Sequence, residues 1–170
     1  MPDVELSFYR SVAPSDPLSQ GDIFANVRCV EPANPPSEKL RTVVVLSHGC
    51  EIDKQDSTSC YTAAVRLFKR ERDDIREAIR SGRTANTIYL PRNDALNGEG
   101  FVDLRLFYRV RYEDLHAASF QETQRVVGAS AQRLVGLEEQ GVLILRERIV
   151  QFFSRTDQPI QRAIARGQDL

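Results

Sequence analysis

Residues 41–47, RTVVVLS, restrict the fold of this chain more than any other segment. Three consecutive valines and a leucine leave the segment without a polar face, which is typical of a β-strand that is buried on both sides or lies inside a barrel. Such a strand needs neighbours, and strands are also predicted near residues 22–30, 60–67 and 101–111. We expect these four strands to share one strongly curled antiparallel sheet.

Residues 101–111, FVDLRLFYRVR, alternate more regularly than any other segment. One predicted face of this strand is apolar and holds Val102, Leu104, Leu106, Tyr108 and Val110. The other face is polar apart from one ring and holds Asp103, Arg105, Phe107, Arg109 and Arg111. A period of two predicts a strand that turns its apolar face to a core and its polar face to solvent.

Two other parts of the sequence predict helices. Residues 69–82 are highly charged and end at a glycine, as a surface helix with a glycine C-cap would. Residues 130–153 are predicted to be helical, with an interruption or bend near Gly141. Just before them, residues 124–130 are predicted to add an edge strand.

Prolines mark the predicted loops and strand ends. Residues 31–39 contain three prolines and predict a loop, because proline lacks the N–H that a strand or helix would use. A short strand at residues 86–91 is predicted to stop at Pro91.

The order of the predicted elements indicates the fold class. Several strands, an inserted charged helix, a long strand and a terminal helix indicate a small α+β domain built on an antiparallel barrel or curled sheet. The sequence contains no phosphate-binding loop and no dinucleotide-binding glycine motif. We expect an arm at residues 1–19, one barrel domain with its helix at residues 20–154, and a tail at residues 155–170.

The overall charge and the cysteines limit the classes of function. The chain of 170 residues has a formal net charge of -1, which argues against a globally basic nucleic-acid-binding protein but not against a local basic patch. No leader segment and no apolar run of membrane-spanning length is visible, so no membrane association is expected. Three cysteines without an export signal predict free thiols and a cytoplasmic location.

Four short motifs occur in an order that one protein family shares. Residues 21–23 read Gly-Asp-Ile, and residues 41–47 form the β-branched strand after a proline-rich loop. A long strand containing arginines follows at residues 102–115, and a helical pattern at residues 130–140 closes the series. In this order the motifs resemble the PemK/MazF-like family, whose members are SH3-like β-barrels and whose toxins are endoribonucleases.

The resemblance implies a small SH3-like antiparallel barrel and a metal-independent endoribonuclease that uses no cofactor. It also implies RNA as a substrate, a toxin–antitoxin or phage-defence setting, an antitoxin as protein partner, and a homodimer. Arg41 lies where the family places an arginine against the scissile phosphate, to which a planar guanidinium can donate paired hydrogen bonds. The dimer surface is expected at a barrel edge and at the helix face of Val142, Leu145 and Ile149.

Residues 47–53, SHGCEID, bring titratable side chains to the end of the buried strand. His48, one of only two histidines, lies two positions before Cys50, one of three cysteines. We expect His48 and Cys50 to lie in contact at a partly open cleft, because perturbed titratable groups tend to gather at such sites. The candidate catalytic residues are Arg41, Ser47, His48, Cys50 and Glu51.

Four interpretations of this segment are open. His48 could deprotonate Cys50 and make it a nucleophile. Alternatively, His48, Cys50 and Cys60 could bind zinc, with Asp53 or water as the fourth ligand. In a third interpretation, His48 and Glu51 act as acid and base. In the fourth, the segment is only the polar end of a strand, with Cys50 packed as a small apolar group.

The polar face of residues 101–111 suggests a binding surface. Basic residues with an aromatic ring between them could follow a single-stranded backbone and stack one base. The candidate nucleic-acid-binding residues are Arg105, Phe107, Arg109 and Arg111. Two alternatives remain: the arginines only pair with neighbouring carboxylates such as Asp103 and Glu113, or they bind a protein partner in a non-catalytic barrel.

Overall fold

The computed structural model of the protein describes residues 7–13, 15–31, 35–48, 52, 58–69, 71–116 and 131–156. The strands in these ranges are β1 (Tyr9–Arg10), β2 (Ile23–Glu31), β3 (Ser37–Val45), β4 (Ser59–Leu67), β5 (Thr87–Asn93), β6 (Gly98–Arg111) and β7 (Gln132–Leu137). The helices are α1 (Asp73–Arg80), α2 (Tyr112–His116) and α3 (Glu139–Thr156), and a short 3-10 helix covers Asp94–Leu96. Every helix in the described ranges is too short or too polar to cross a lipid bilayer.

The strands form one antiparallel sheet in the order β1-β7-β2-β3-β4-β6-β5. The four strands predicted near residues 22–30, 40–47, 60–67 and 101–111 are β2, β3, β4 and β6, so their place in a common antiparallel sheet is confirmed. The charged helix α1 is inserted between β4 and β5, and α3 follows the last strand. The fold is therefore mixed α/β, with an inserted and a C-terminal helix as predicted.

The two edges of the sheet, β1 and β5, come close to each other without closing a barrel. The hydroxyl of Tyr9 in β1 donates a hydrogen bond to the carbonyl oxygen of Pro91 in β5, at 2.7 Å. Burial raises the pKa of this tyrosine, which keeps the hydroxyl a donor. A side-chain bond, and no backbone ladder, joins the described parts of the two strands. The antiparallel sheet is thus open, and the closed SH3-like barrel stays a proposal.

Two predicted boundaries near prolines are wrong. β5 does not stop at Pro91 but continues to Asn93, because an edge strand tolerates proline where the missing N–H would point away from the sheet. The loop predicted at residues 31–39 is shorter, since Glu31 still belongs to β2 and Ser37 already begins β3.

The helix predicted from residue 130 onward is wrong in its first part. Gln132–Leu137 form β7, which pairs with β1 on one side and with β2 on the other. Val135 and Leu137 are both buried, two positions apart as in a strand. A short apolar run fits either a strand or a helix, and pairing with two strands decides the outcome here. The edge strand predicted at residues 124–130 lies outside the described residues.

The predicted break near Gly141 is absent, because α3 continues through this residue. A Cβ atom at Gly141 would lie 3.1 Å from Cβ of Leu137 and 3.2 Å from the carbonyl oxygen of Phe8. The glycine is needed for close approach of the helix to the neighbouring chain, not for a bend.

The helix face predicted as a dimer surface is used inside the protein. Leu145 has no exposed surface, and Val142 and Ile149 pack partly buried against the same core. The prediction of this surface is therefore wrong, while dimerisation itself stays a prediction.

Two core clusters cover opposite faces of the sheet, as the alternation of Val43, Val44 and Val45 between them shows. The first core cluster consists of Leu18, Phe24, Val27, Cys29, Val43, Val45, Cys60, Ala64, Tyr108, Val110, Leu115 and Ala131. The second core cluster consists of Ile23, Val44, Ala63, Val65, Ile88, Leu90, Leu96, Val102, Leu104, Val135, Leu137 and Leu145. A strand between two cores explains why residues 43–45 carry no polar side chain.

β6 contributes to both clusters, so the prediction of one continuous apolar face is wrong. The register between β4 and β6 shifts between Ala63 and Ala64, and extra residues of β6 are accommodated there. Such an irregularity changes which face the following side chains occupy. Val102 and Leu104 lie in the second core cluster, whereas Leu106, Tyr108 and Val110 pack in the first.

The Gly21–Asp22 motif ties the predicted arm to the sheet. Gly21 has φ of +90°, a value that other residues rarely adopt. The buried carboxylate of Asp22 accepts hydrogen bonds from Arg10 at 2.6 Å, Arg133 at 2.5 Å and the N–H of Ser19 at 2.7 Å. Burial raises the pKa of Asp22, and the amide and the two guanidinium groups act in the opposite direction.

Candidate nucleic-acid interface

Three neighbouring strands place a row of side chains beside α3. The N–H of Leu46, just after β3, donates to the carbonyl oxygen of Tyr61 at 2.8 Å, and Tyr61 is paired with Arg109 of β6. Val44 and Ala63 are paired and belong to the second core cluster. Leu46 lies two residues after Val44, and Tyr61 lies two residues before Ala63. They therefore share the face of the sheet on which α3 packs.

One edge of α3 runs along this row. Arg146, Val150 and Phe153 are separated by four and three residues, so they lie along one side of the helix. Near the end of the helix, the ring of Phe153 meets that of Phe107 edge to face, with centroids 6.2 Å apart. This contact holds the helix edge against β6.

The other end of this helix edge is tied to β3 through Gln20. Nε of Arg146 donates to Oε1 of Gln20 at 2.7 Å, and Nε2 of Gln20 donates to the carbonyl oxygen of Leu46 at 2.6 Å. Both ends of the edge are thus fixed, and the side chains of the helix edge and of the sheet row meet along one line.

We call this line where the helix meets the sheet the helix–sheet groove, and we define it by the side chains of Leu46, Tyr61, Phe107, Arg109, Arg146, Val150 and Phe153. Three of its side chains are aromatic and about half exposed: Tyr61 at 53%, Phe107 at 48% and Phe153 at 47%. Exposed rings beside arginines are what proteins use to bind single strands, since bases stack on rings and guanidinium groups bind phosphates.

A pocket of about 460 Å³ lies at the Arg146 end of the groove, and we call it the end pocket. The arm, the exit of β3 and the first turns of α3 form its walls. It is lined by Arg10, Ser19, Gln20, His48, Leu137, Glu139, Val142, Leu143 and Arg146. Two arginines, one of which is already paired with Asp22, and a histidine line it together with one carboxylate, and this excess of basic groups suits an anionic ligand.

Two of the predicted catalytic residues, Ser47 and His48, lie at this end of the groove. Oγ of Ser47 accepts the backbone N–H of Tyr61 at 2.9 Å, which continues the pairing of the two chains beyond β3. His48 is exposed and lines the end pocket. Cys50 and Glu51 lie outside the described residues, so the contact between His48 and Cys50 stays a prediction.

Arg41, predicted to contact a phosphate, lies elsewhere. Its Nε and Nη2 both donate to Oε1 of Glu31, the former at 2.9 Å, and Nζ of Lys39 binds Oε2 at 2.6 Å. The bonds from Lys39 and Arg41 lower the pKa of Glu31. About 13 Å of extended strand separates Arg41, in the middle of β3, from Val45 at the end of the strand. The structure therefore does not bring Arg41 to the helix–sheet groove.

Arg105 is held by a buried carboxylate. Its Nε and Nη2 donate to the two oxygens of Asp103 at 2.9 and 2.8 Å, and Arg66 approaches the same carboxylate at 3.5 Å. Burial acts to raise the pKa of Asp103, but the hydrogen bonds and charges of the arginines outweigh it and lower the pKa. For Arg105, pairing with a neighbouring carboxylate is confirmed.

Arg111 and Arg109 differ in their partners. Arg111 binds two carboxylates, Glu113 at 2.6 Å and Asp114 at 3.1 Å, as the ion-pair alternative predicted. Nε of Arg109 donates to the hydroxyl of Ser59 at 2.6 Å, a neutral partner that leaves the charge of the guanidinium uncompensated by this contact. Of the predicted arginines, Arg109 is the one that borders the groove.

Cys60 and His48, two of the predicted zinc ligands, lie on different sides of the sheet. Cys60 lies in the first core cluster, on the face of β4 opposite Tyr61, and burial raises its pKa to about 12. His48 lines the end pocket on the helix side, so the structure does not bring these two together. In the part of the chain that is described, no three His, Cys, Asp or Glu side chains are arranged for a metal ion. Cys50 and Asp53 lie outside that part.

Comparisons with known proteins do not supply a family for this chain. The sequence matches none of the protein-family models against which it was scanned, and no curated protein matches it. The likeness to the PemK/MazF-like family remains one of short sequence motifs, at residues 21–23, 41–47, 102–115 and 130–140. In the last of these, Gln132–Leu137 form a strand where the resemblance implies a helix.

Sequence reasoning missed Tyr61, Gln20, Arg146 and Phe153. Signals for two of them were present: Tyr61 is the one aromatic residue of β4, and Phe153 lies seven residues after Arg146 on a helical pattern. Gln20 carried no signal, because its role depends on the meeting of two distant segments.

Proposed function

We propose that this protein binds single-stranded nucleic acid, RNA above all, in the helix–sheet groove. The observation that carries the proposal is the placement of three half-exposed rings, Tyr61, Phe107 and Phe153, along one groove. Arg109 flanks these rings on the sheet, and Arg146 stands at the far end of the helix edge.

Each part of the groove fits one part of a single strand. Stacking of a base on an aromatic ring contributes roughly 1–3 kcal/mol, whatever the base, because every base has a π-face. The guanidinium groups of Arg109 and Arg146 can bind the phosphates between stacked bases. A duplex hides its base faces, so exposed rings favour a single strand. A local site of this kind is compatible with a net charge of -1.

The PemK/MazF-like resemblance supports RNA as the strand. The hydrogen bond from Tyr9 to Pro91 joins the two edges of the antiparallel sheet, which is compatible with the closed SH3-like barrel of that family. On this proposal the protein acts in a toxin–antitoxin or phage-defence setting, as a homodimer with an antitoxin as its partner.

Binding is tested by fluorescence anisotropy with a labelled single-stranded RNA of mixed sequence. We expect Tyr61→Ala and Phe107→Ala each to weaken binding roughly tenfold. The matched control is Leu40→Ala, since Leu40 is 52% exposed on the β2–β3 hairpin and should leave binding unchanged. Equal affinity of all four proteins would refute the groove as the binding site.

Salt dependence tests the arginines. Two phosphates neutralised on a single strand predict a slope of about -1.4 in a plot of log affinity against log salt concentration. Arg109→Gln should make this slope shallower by about 0.7, because one phosphate contact is lost. A steep slope that is unchanged in the variant would place the charged contacts elsewhere.

Cleavage of the bound RNA is a second proposal, favoured by the position of His48 in the end pocket beside the groove. An imidazole can accept the proton of a ribose 2′-hydroxyl, whose oxygen then forms a bond to the adjacent phosphorus. The bond from phosphorus to the 5′-oxygen breaks, and the imidazole returns the proton to that oxygen, which leaves a 2′,3′-cyclic phosphate and a 5′-hydroxyl. We expect cleavage to survive a chelator of divalent metal ions and to be lost in His48→Ala. RNA that stays intact with wild-type protein would restrict the function to binding.

A further inference from the structure

We propose that the end pocket binds the terminal phosphate of the strand that occupies the helix–sheet groove. This inference rests on the proposed nucleic-acid binding, and it adds which part of the ligand lies at which end.

Gln20, the residue that follows the arm, closes the groove at the end pocket. Gln20 bridges Arg146 of α3 and Leu46 of the sheet through hydrogen bonds of 2.7 and 2.6 Å, and so spans the groove. Ser19 and Arg10 also line the pocket. A strand that follows the groove past Arg146 meets these residues, so a chain end fits there better than an internal linkage.

The charges of the pocket suit a phosphate monoester. Arg10, Arg146 and His48 line it together with one acid, Glu139. Nε of Arg146 binds Gln20, and neither of its terminal amino groups bonds to another residue within the described ranges. A terminal phosphate carries about -1.5 to -2 charges at neutral pH, against one on an internal diester, and an arginine fork matches its oxygens.

The volume of the end pocket is large enough for a nucleotide. Pockets for small ligands enclose roughly 300–1,000 Å³, and the end pocket encloses about 460 Å³. The apolar side chains of Leu137, Val142 and Leu143 form part of its lining. A terminal nucleotide can therefore place its phosphate at the arginines while its base or sugar lies against an apolar wall.

Buried anchors hold the pocket in shape before a ligand arrives. Arg10 is fixed by its ion pair with Asp22 at 2.6 Å, and the side chain of Asp22 is completely buried. A Cβ atom at Gly21 would lie 3.0 Å from both Leu137 and Val142, so this glycine lets the arm lie against two pocket residues. Donors that are already ordered bind a phosphate without a large entropic cost.

The test compares three internally labelled single strands of one sequence, with a 5′-phosphate, a 3′-phosphate or neither. We expect the wild-type protein to bind one phosphorylated strand roughly tenfold more tightly than the unphosphorylated one. Arg146→Gln should bring this ratio close to one. Glu139→Gln should increase it, because a repelling carboxylate is removed. Arg28→Gln, an exposed arginine on β2, should leave the ratio unchanged.

The outcomes separate this inference from the proposed function. Equal binding of the three strands by the wild-type protein overturns the end pocket as a phosphate site and leaves binding in the groove standing. No binding of any strand refutes both. If Arg146→Gln folds poorly, Glu139→Gln still tests the inference. A rise in the affinity ratio of phosphorylated to unphosphorylated strand in this variant cannot result from unfolding.

Discussion

Phe153 at the end of α3 packs edge to face against Phe107 of β6, with ring centroids 6.2 Å apart and ring planes at 76°. Since α3 begins directly after β7, the contact shows that the helix crosses four strand spacings of the sheet. A helix of 18 residues is about 27 Å long, and four strand spacings amount to about 19 Å. The same ring pair fastens the helix and forms one end of the helix–sheet groove.

The first prediction concerns the stability that this ring pair contributes. We expect a coupling free energy of about 1 kcal/mol between Phe107 and Phe153 in a double-mutant cycle of alanine variants, measured by urea denaturation. Val150→Ala, on the same helix edge and 65% exposed, should change the free energy of unfolding by less than about 0.5 kcal/mol. A coupling of zero would show that the rings do not meet in solution.

The second prediction concerns the buried carboxylate of Asp22. Asp22→Asn leaves two guanidinium groups without their counter-charge, and Arg133 is only 9% exposed. We expect the free energy of unfolding to fall by about 3–5 kcal/mol. The control is Asp94→Asn in the exposed first turn of the 3-10 helix, which should cost less than about 1 kcal/mol. A similar small loss in both variants would contradict the role of Asp22 as the anchor of the arm.

The third prediction concerns how the stability contributed by Asp103 depends on pH. The pKa of Asp103 is lower in the folded protein than its usual value of 3.8. Its contribution to stability is therefore present above the unfolded pKa and is lost as the pH falls through the folded pKa. We expect Asp103→Asn to be less stable than wild type at about pH 6, and the difference to shrink towards about pH 2. A difference that stays constant over this range in chemical denaturation would argue against the ion pairs of Asp103.

The fourth prediction concerns the thiols. Burial raises the pKa of Cys29 to about 11 and that of Cys60 to about 12, against about 8.5 for a free thiol. We expect neither to react with iodoacetamide in the native protein at pH 8. Cys50, which the sequence predicts to be reactive, should then carry the label, and more slowly in His48→Ala. Peptide mapping by mass spectrometry identifies the labelled cysteine, and label on native Cys60 would show that the first core cluster opens.

The parts of the fold that the sequence predicts correctly are those with a local cause. Residues 43–45 have no polar side chain because β3 lies between two cores, and that pattern is visible without any partner. β7 was mistaken for helix because its apolar run is too short to show a period, and its strand form depends on β1 and β2. The apolar side chains of β6 change from one face of the sheet to the other because the register against β4 shifts. The sequence of β6 alone does not predict this shift.

The candidate site was predictable to a smaller extent. The sequence drew attention to Phe107 and Arg109, since an aromatic ring and arginines alternate on one strand, and their role in binding stays a prediction. It could not place Tyr61 beside Arg109 or Arg146 beside Gln20, because these relationships depend on strand register and on the path of α3 across the sheet. The pairing of Arg105 with Asp103 could be predicted from the sequence, since the residues are two positions apart on one strand.

The position of β7 between β1 and β2 determines how late the sheet is completed during synthesis. Tyr9 pairs with Leu137, and Ile23 pairs with Val135. The edge of β2 that faces β7 therefore stays unpaired until β7 has been synthesised. At ribosomal rates of roughly 5–20 residues per second, that wait is on the order of ten seconds. An unpaired strand edge is a template for association with other chains. Slower translation should therefore lengthen the exposure of nascent β2 and increase the aggregated fraction of newly made protein.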